Sequence, residues 1–319
     1  MTAATGPKGQ IAARFAAAAA EGRAALVAYL TGFDPTRRAS LDRLLAACEA
    51  GVDVLELGVP FSDPTADGPV VQGAMLRARA AGATLRGVLA LAAELRADSS
   101  APIVLFSYAN PLVQLGDRLG PALREAGIDG VLVVDLPAEH AAELREPLLA
   151  EGLAWVSLVA PTTPPARLPA AVGAATGFVY AVTLRGVTGA ALDAERQELA
   201  AQLHAVRAHT SLPVAAGFGV REPAQAAALA RHRAQTGADL GALAAALTLP
   251  AGAASACDRA RELVNAMRMS TAHCAIERLD VASGAVTLLR RDVGNEDPVQ
   301  LSHDGRYLLY AEYNPGVMS

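Results

Sequence analysis

The sequence predicts an α/β fold, a (β/α)8 TIM barrel, on three observations. Short apolar runs typical of buried strands alternate with stretches whose apolar residues recur at helical spacing. The strand-like runs are continuously apolar, which indicates a parallel sheet that helices cover. Seven of these runs are complete by Gly217, and seven or eight such units suit a closed barrel.

A doubly wound open sheet is the alternative architecture. In that fold the first strand-to-helix turn carries closely spaced glycines, which let the backbone approach a dinucleotide pyrophosphate. Here the turn is TGFDP, residues 31–35, and it lacks the glycine spacing. The barrel is therefore the preferred prediction.

The elements follow in a regular order. Residues 11–20 favour a helix that Gly22 ends, residues 24–31 form the first strand-like run, and residues 36–50 form the next helix. A strand is then predicted at residues 52–57. Further strands are predicted at residues 102–107, 130–135, 154–159, 177–182 and 213–217.

Composition excludes several functional classes. The formal net charge of -5 arises from scattered residues, so no nucleic-acid surface or basic membrane patch is indicated. The N-terminus carries no export signal, and the histidines show no pairing suited to a metal or a nucleophile triad. The three cysteines indicate neither a disulfide framework nor a metal site: Cys48, Cys257 and Cys274. We expect a cytoplasmic enzyme or binding protein for small molecules.

Two carboxylates in residues 55–69, LELGVPFSDPTADGP, are the main catalytic candidates. Glu56 lies inside an apolar strand, where an ionised carboxylate is costly, so its pKa should be raised unless it has specific partners. Asp67 lies in the loop that follows. The alternatives are a Glu56 that fixes loop amides and an Asp67 that forms a turn or a helix N-cap.

Other polar residues and glycines follow the later strands. In a barrel the strand ends carry the chemistry, and glycines in the late loops let backbone amides approach a phosphate. Residues 186–189, GVTG, and residues 217–219, GFG, fit this role, although ordinary turn glycines remain the alternative. The polar residues at or after strand ends include Tyr108, Asn110, Asp135, Tyr180, Thr183 and Thr188.

Taken together, these motifs resemble the tryptophan synthase alpha subunit. The most specific is residues 56–69, and YAN at 108–110, DLP at 135–137, GVTG and GFG follow in the same order. The likeness runs from about residue 10 to residue 225. It resumes at residues 259–268, which are similar to the last helix of the family.

The resemblance implies a lyase that cleaves indole-3-glycerol phosphate to indole and glyceraldehyde 3-phosphate by a retro-aldol reaction. Glu56 would give and take protons, Asp67 would stabilise positive charge at the indole ring, Tyr180 would hold Glu56 and substrate, and Thr188 would meet Asp67 on loop closure. The implied substrate-binding residues are Leu26, Phe106, Tyr108, Leu132, Gly189, Gly217 and Gly219.

The resemblance also implies a partner. The family passes indole to a beta subunit that depends on pyridoxal phosphate, so we expect an alpha2beta2 assembly and no cofactor or metal in this chain. A second hypothesis is a weakly active or inactive barrel that binds and activates a beta subunit. A third, another phosphate-binding barrel enzyme, is disfavoured because residues 56–69 are too specific.

One segment departs from the family pattern. Aligned without gaps, Ala244 and Ala245 replace a Gly-Ser pair that completes the phosphate site of the family. The alanine–leucine composition of residues 237–247 favours helix over a buried strand, which leaves the eighth strand in doubt. We therefore expect weakened phosphate binding and impaired activity.

The barrel domain is predicted to span residues 1–268, and residues 269–319 form a different, β-rich tail. Short strands are predicted at residues 276–280, 285–289 and 306–310 around Ser-Gly and Asp-Gly turns. Residues 302–310 are similar to a β-propeller blade motif. Because one blade cannot close a propeller, the tail is interpreted as a fusion remnant, with a partner-docking hairpin as the alternative.

Overall fold

The computed structural model confirms the predicted barrel. It describes residues 7–182, 201–220, 242–246, 274–280, 286–293, 299–301 and 307–313. Eight parallel strands close in sequential order, each bonded to the next and the eighth to the first. They are β1 (Ala25–Thr31), β2 (Val54–Gly58), β3 (Ile103–Ser107), β4 (Gly130–Val133), β5 (Ala154–Val159), β6 (Val179–Val182), β7 (Val214–Val220) and β8 (Ala242–Ala246).

One helix precedes the first strand, and the later helices lie between strands along the chain. They are α1 (Pro7–Ala20), α2 (Arg37–Glu49), α3 (Pro69–Ala80), α4 (Leu85–Asp98), α5 (Ala109–Val113), α6 (Leu119–Glu125), α7 (Ala142–Ala150) and α8 (Leu168–Gly173). The Thr36 and Thr84 hydroxyls cap α2 and α4, accepting bonds from the backbone N–H three residues on. Gly51, directly after the C-cap residue of α2, has φ +96°, a left-handed conformation that glycine adopts readily at helix ends. Within the ranges listed above, no helix is long and apolar enough to cross a membrane.

The eighth strand corrects the expectation drawn from composition. Residues 242–246 form β8, which pairs with β1 from Ala25↔Ala242 to Tyr29↔Ala246 and with β7 on its other side. A helix here would leave the facing edges of β1 and β7 without backbone partners. The free energy of those lost hydrogen bonds exceeds the small helix preference of alanine, so tertiary pairing decides the conformation.

Apolar side chains form two layers because alternate strand residues point to opposite faces. The outer cluster lies between strands and helices and includes Leu55, Leu57 and Trp155. The interior cluster includes Val27, Val104 and other residues inside the barrel. Helix α1 contributes Ile11, Phe15 and Ala18 to this interior cluster, and the Phe15 and Phe178 rings lie 5.4 Å apart.

Buried ion pairs tie the strands together at their N-terminal ends. Arg23 donates to both carboxylate oxygens of Asp53, at 2.6 and 2.9 Å, and Asp53 also accepts from the Leu26 N–H at 2.8 Å. Arg96 donates to one carboxylate oxygen of Asp129 at 2.6 Å, and that oxygen also accepts from the Ile103 N–H at 2.8 Å. These contacts lie at the end of the barrel that serves stability in this fold, away from the strand ends that carry chemistry.

The C-terminal strands form a separate antiparallel sheet. They are β9 (Cys274–Asp280), β10 (Val286–Val293), β11 (Val299–Leu301) and β12 (Tyr307–Tyr313), and their spatial order is β10-β9-β12-β11. Three of these strands coincide with the predicted ones, whereas β11 was not predicted because it is only three residues long.

Candidate active site

Glu56 lies on the interior face of β2, near the carboxyl end of the strand. Its register partners are Tyr29 and Val104, both members of the interior cluster. The side chain is 1% exposed, and its Oε1 atom has no hydrogen-bond partner among the described residues. Burial raises the pKa of Glu56 to about 8. At neutral pH this carboxyl is therefore largely protonated, and it can donate a proton and then accept one.

Asp67 is held at the end of the β2–α3 loop by a tyrosine that directly follows β3. The Tyr108 hydroxyl donates to Asp67 Oδ2 at 2.7 Å and accepts from the Ala66 N–H at 2.9 Å. Phe61 stacks on the Tyr108 ring with centroids 4.9 Å apart. Gln72 of α3 donates to the Asp67 carbonyl oxygen at 2.8 Å. The loop thus presents Asp67 in one defined orientation.

The ionisation of Asp67 is governed by two opposing effects. Burial raises the pKa of the carboxyl, and the hydrogen bond from Tyr108 lowers it. Asp67 is 8% exposed and accepts the hydrogen bond from Tyr108. Glu56 has no comparable hydrogen-bond donor within the described structure. The two carboxyls therefore have different environments, which is the arrangement that separates a proton donor from a charge stabiliser.

Tyr29 of β1 is an interior residue that sequence reasoning missed. Its ring meets Phe106 edge-on with centroids 5.0 Å apart, and its hydroxyl lies 3.2 Å from the Thr31 hydroxyl. Burial, and to a smaller extent the charges of Asp67 and Glu56, raise the pKa of Tyr29. Tyr29 is also the register partner of Glu56 on β2.

Leu26, which was expected to wall the substrate pocket, belongs to the outer cluster and is 1% exposed. The alternation of β1 places Val27 and Tyr29 inside the barrel and Leu26 outside it. The expectation for Leu26 is thus corrected, and Tyr29 takes the interior position on this strand.

The remaining described candidates gather on the interior face of the barrel. Phe106 and Leu132 are register partners on β3 and β4, and both belong to the interior cluster with Tyr180 of β6. Gly217 of β7 leaves the space that the Tyr180 phenol fills, because a Cβ at this position would overlap the ring. The structure therefore brings Phe106, Leu132 and Tyr180 to the same interior surface as Glu56.

Three further site residues were predicted at or after the ends of the sixth and seventh strands. Gly219 lies on β7, whereas Thr188 and Gly189 lie outside the described residues. Ala244 and Ala245 lie within β8, with Val27 and Ala28 as their β1 partners. Their predicted roles remain predictions.

These features define a class: a (β/α)8-barrel enzyme whose site, at the carboxyl ends of the strands, combines a proton-exchanging carboxyl with a second, oriented carboxyl. A sequence model of the tryptophan synthase alpha chain family matches residues 15–268. The tryptophan synthase alpha chain of Gluconacetobacter diazotrophicus is 49% identical over 224 residues, 70% of this chain and 81% of that protein. The chain therefore belongs to the tryptophan synthase alpha chain family.

Solved structures agree with this assignment. Mycobacterium tuberculosis tryptophan synthase superposes with a TM-score of 0.72 at 32% identity, covering 81% of this chain and 98% of that one. The alpha subunit of Legionella pneumophila gives a TM-score of 0.71 at 30% identity, covering 82% and 98%. The family comprises lyases of tryptophan biosynthesis that cleave indole-3-glycerol phosphate to indole and glyceraldehyde 3-phosphate and work with a beta subunit.

Proposed function

We propose that Glu56 is the proton-transfer group of the retro-aldol cleavage of indole-3-glycerol phosphate in this chain. The observation that carries the proposal is a buried carboxyl with a pKa of about 8 and an Oε1 atom with no partner among the described residues. Neutral Glu56 donates its proton to indole C3, which makes C3 a leaving carbon. The resulting carboxylate removes the proton of the glycerol hydroxyl as the carbon–carbon bond breaks, and the aldehyde and indole form.

Asp67 is proposed to stabilise the positive charge that develops in the indole ring and to bind its N–H. Tyr108 supports this role by fixing Asp67 Oδ2 at 2.7 Å. Preorganised groups aimed at developing charge cost no reorganisation in the transition state. Phe106, Leu132 and Tyr180 would surround the ring, with Tyr29 added to that set and Leu26 removed.

The assay is steady-state release of indole by the purified chain. We expect Glu56→Gln to lower kcat by about 10²–10⁴-fold, because it removes general acid–base catalysis. Asp67→Asn should lower kcat by about 10²–10³-fold. Glu49→Gln, at an exposed glutamate at the end of α2, is the matched control and should leave turnover unchanged. A Glu56→Gln variant with full turnover would refute the assignment.

The late loops are proposed to bind the phosphate. Backbone amides near Gly189, Gly217 and Gly219 would contact it, and Thr188 would meet Asp67 when the loops close over the site. Because Ala244 and Ala245 stand where the family has Gly-Ser, we propose a lowered phosphate affinity.

Calorimetric binding of glycerol phosphate tests this proposal. A hydroxyl hydrogen bond to a charged group contributes about 1.5–3 kcal/mol, so Ala245→Ser should bind at least tenfold more tightly than the wild type. Equal affinities would show that the missing hydroxyl is not the cause of weak binding. The comparisons lend no support to the alternative of a non-catalytic partner.

The assembly is proposed to be alpha2beta2, with pyridoxal phosphate held by the beta subunit and no cofactor in this chain. Membership of a family that works with a beta subunit supports this proposal. Sedimentation of the chain with a beta subunit should give a species of twice the heterodimer mass, and a species of heterodimer mass would contradict it.

We also propose a domain boundary near residue 268. The family match ends there, and the described strands beyond it are antiparallel, whereas those before it are parallel. The blade-like motif at residues 302–310 and the origin of the tail as a fusion remnant remain part of this proposal. Limited proteolysis should cut near residue 268 and leave the barrel intact; resistance at that point would argue against a boundary.

A further inference from the structure

The peptide group that joins Tyr108 to Ala109 is held at both of its polar ends. The Ser107 hydroxyl donates to the Tyr108 carbonyl oxygen at 2.8 Å. The Ala109 N–H donates to Asp135 Oδ1, also at 2.8 Å. This peptide lies where the extended backbone of Tyr108, with φ -84° and ψ 160°, turns into α5. Because the peptide shares the Cα atom of Tyr108, its orientation constrains the direction in which the tyrosine side chain leaves the backbone.

Ser107 is a polar residue on a strand face that is otherwise apolar. Ile103 and Leu105 belong to the outer cluster, and Ser107 is the next residue of β3 on that face. It is 1% exposed. A hydroxyl buried in this way costs free energy unless it forms a hydrogen bond, and its partner here is the Tyr108 carbonyl oxygen. The retro-aldol chemistry has no use for this hydroxyl, so its contact points to a role that it exerts through Tyr108.

Asp135 was expected among the polar residues that follow strand ends, and the reaction assigns it no chemical step. It follows β4, the strand that pairs with β3, so its bond to Ala109 joins the chain segments after two neighbouring strands. The residue is exposed, and water therefore competes for the Ala109 N–H. We accordingly expect a smaller effect from Asp135 than from Ser107.

The position of the Tyr108 hydroxyl is demanding because it meets two atoms of the β2–α3 loop at once. It donates to Asp67 Oδ2 and accepts from the Ala66 N–H, while the ring stacks on Phe61. The hydroxyl stands at the far end of a long side chain, so a small rotation of the backbone displaces it. A misplacement of about 1 Å in an active site can cost about 10²-fold in rate.

We propose that Ser107 and Asp135 are positioning residues for the cleavage reaction. By fixing the peptide between Tyr108 and Ala109, they hold the Tyr108 hydroxyl against Asp67. This inference rests on the charge-stabilising role proposed for Asp67, and it adds the contacts that orient that carboxyl. Both residues act through Tyr108 and not on the substrate.

The test is a double-mutant cycle on indole release by the full chain, with kcat and KM measured separately. Ser107→Ala and Asp135→Ala should each lower kcat by about three- to tenfold, the value of one hydrogen bond, with a smaller change in KM. Asp135→Asn keeps an oxygen that accepts from Ala109 and should retain the wild-type kcat. In the Tyr108→Phe chain no hydroxyl remains to be positioned, so both alanine substitutions should change kcat by less than about twofold.

Asp117→Ala, at an exposed aspartate between α5 and α6, is the matched control and should leave kcat unchanged. Urea unfolding establishes that each variant is folded under the assay conditions. A purely structural role predicts that an alanine substitution lowers kcat by the same factor in the wild-type and Tyr108→Phe chains. That result, or an alanine variant with the wild-type kcat, overturns the proposal for the residue concerned.

Asp67→Asn separates this inference from the function on which it rests. Full turnover by Asp67→Asn would overturn the role proposed for Asp67 and the positioning role with it. Loss of turnover in Asp67→Asn, combined with wild-type kcat in Ser107→Ala and Asp135→Ala, would overturn the positioning role alone.

Discussion

Replacement of Glu56 by Gln should make the chain more resistant to urea relative to the wild type as the pH rises. The carboxyl is buried, and its pKa is raised from 4.5 to about 8 by desolvation. Each pKa unit corresponds to about 1.4 kcal/mol, so a buried ionised Glu56 costs about 5 kcal/mol. Glutamine cannot ionise and therefore avoids this cost.

The direction of the change in stability with pH depends on whether Glu56 is protonated in the folded and in the unfolded chain. Below about pH 4.5 Glu56 is protonated in both the folded and unfolded chain, and its neutral form contributes its full stability. Between about pH 4.5 and pH 8 the unfolded chain loses the proton and the folded chain keeps it. The wild type therefore loses about 1.4 kcal/mol of stability per pH unit until the folded carboxyl also ionises.

Urea unfolding of both proteins from about pH 5 to pH 9 measures this slope. The stability of Glu56→Gln minus that of the wild type should grow by about 4 kcal/mol between about pH 5 and pH 8 and then level off. Glu49→Gln, at the exposed end of α2, is measured alongside as the surface control. A stability difference for Glu56→Gln that stays constant over this pH range would refute the reasoning. In the wild type, kcat/KM should fall above about pH 8, where Glu56 loses the proton that we propose it donates.

Three further variants test the supporting contacts. Tyr108→Phe should lower kcat about tenfold and raise the pKa of Asp67 in the pH–rate profile, because the bond that lowers this pKa is lost; an unchanged profile would contradict this. Gly217→Ala should displace the tyrosine that lies over it, lowering kcat and destabilising the fold by about 1–3 kcal/mol, whereas Gly173→Ala, which meets nothing within 4 Å, should not. Ser157→Ala should raise the free energy of unfolding by about 1 kcal/mol in urea, because it removes a buried unsatisfied hydroxyl; a loss would point to an unseen partner.

Most of the barrel could be predicted because its strands are buried on both faces. Continuous apolar runs mark such strands directly, and the glycines and prolines between them mark their ends. β8 could not be predicted in this way, since ALAAA, residues 242–246, is a good helix sequence in isolation. Its conformation depends on the edges of β1 and β7, which are distant in sequence.

The same double burial explains the error at Leu26. When both faces of a strand are apolar, composition does not reveal which residues point inward. The resemblance located the strand correctly, but it did not show which residues of β1 point into the barrel. The pairing of Tyr29 with Glu56 determines this. Likewise, the bond from Tyr108 to Asp67 joins loops that follow two different strands, so no local pattern could predict it.

Two glycines explain how the interior accommodates large aromatic side chains near the carboxyl ends of short strands. A Cβ at Gly58 would overlap the Tyr29 ring, and a Cβ at Gly217 would overlap the Tyr180 ring. In each pair the tyrosine lies on one strand and the glycine on the next, so the ring crosses the neighbouring strand where that strand has no side chain. Tyr29 is the register partner of Glu56, and burial of Glu56 in this interior raises its pKa. The proposed proton transfer by Glu56 at neutral pH therefore depends in part on Gly58, which leaves room for the Tyr29 ring on the neighbouring strand.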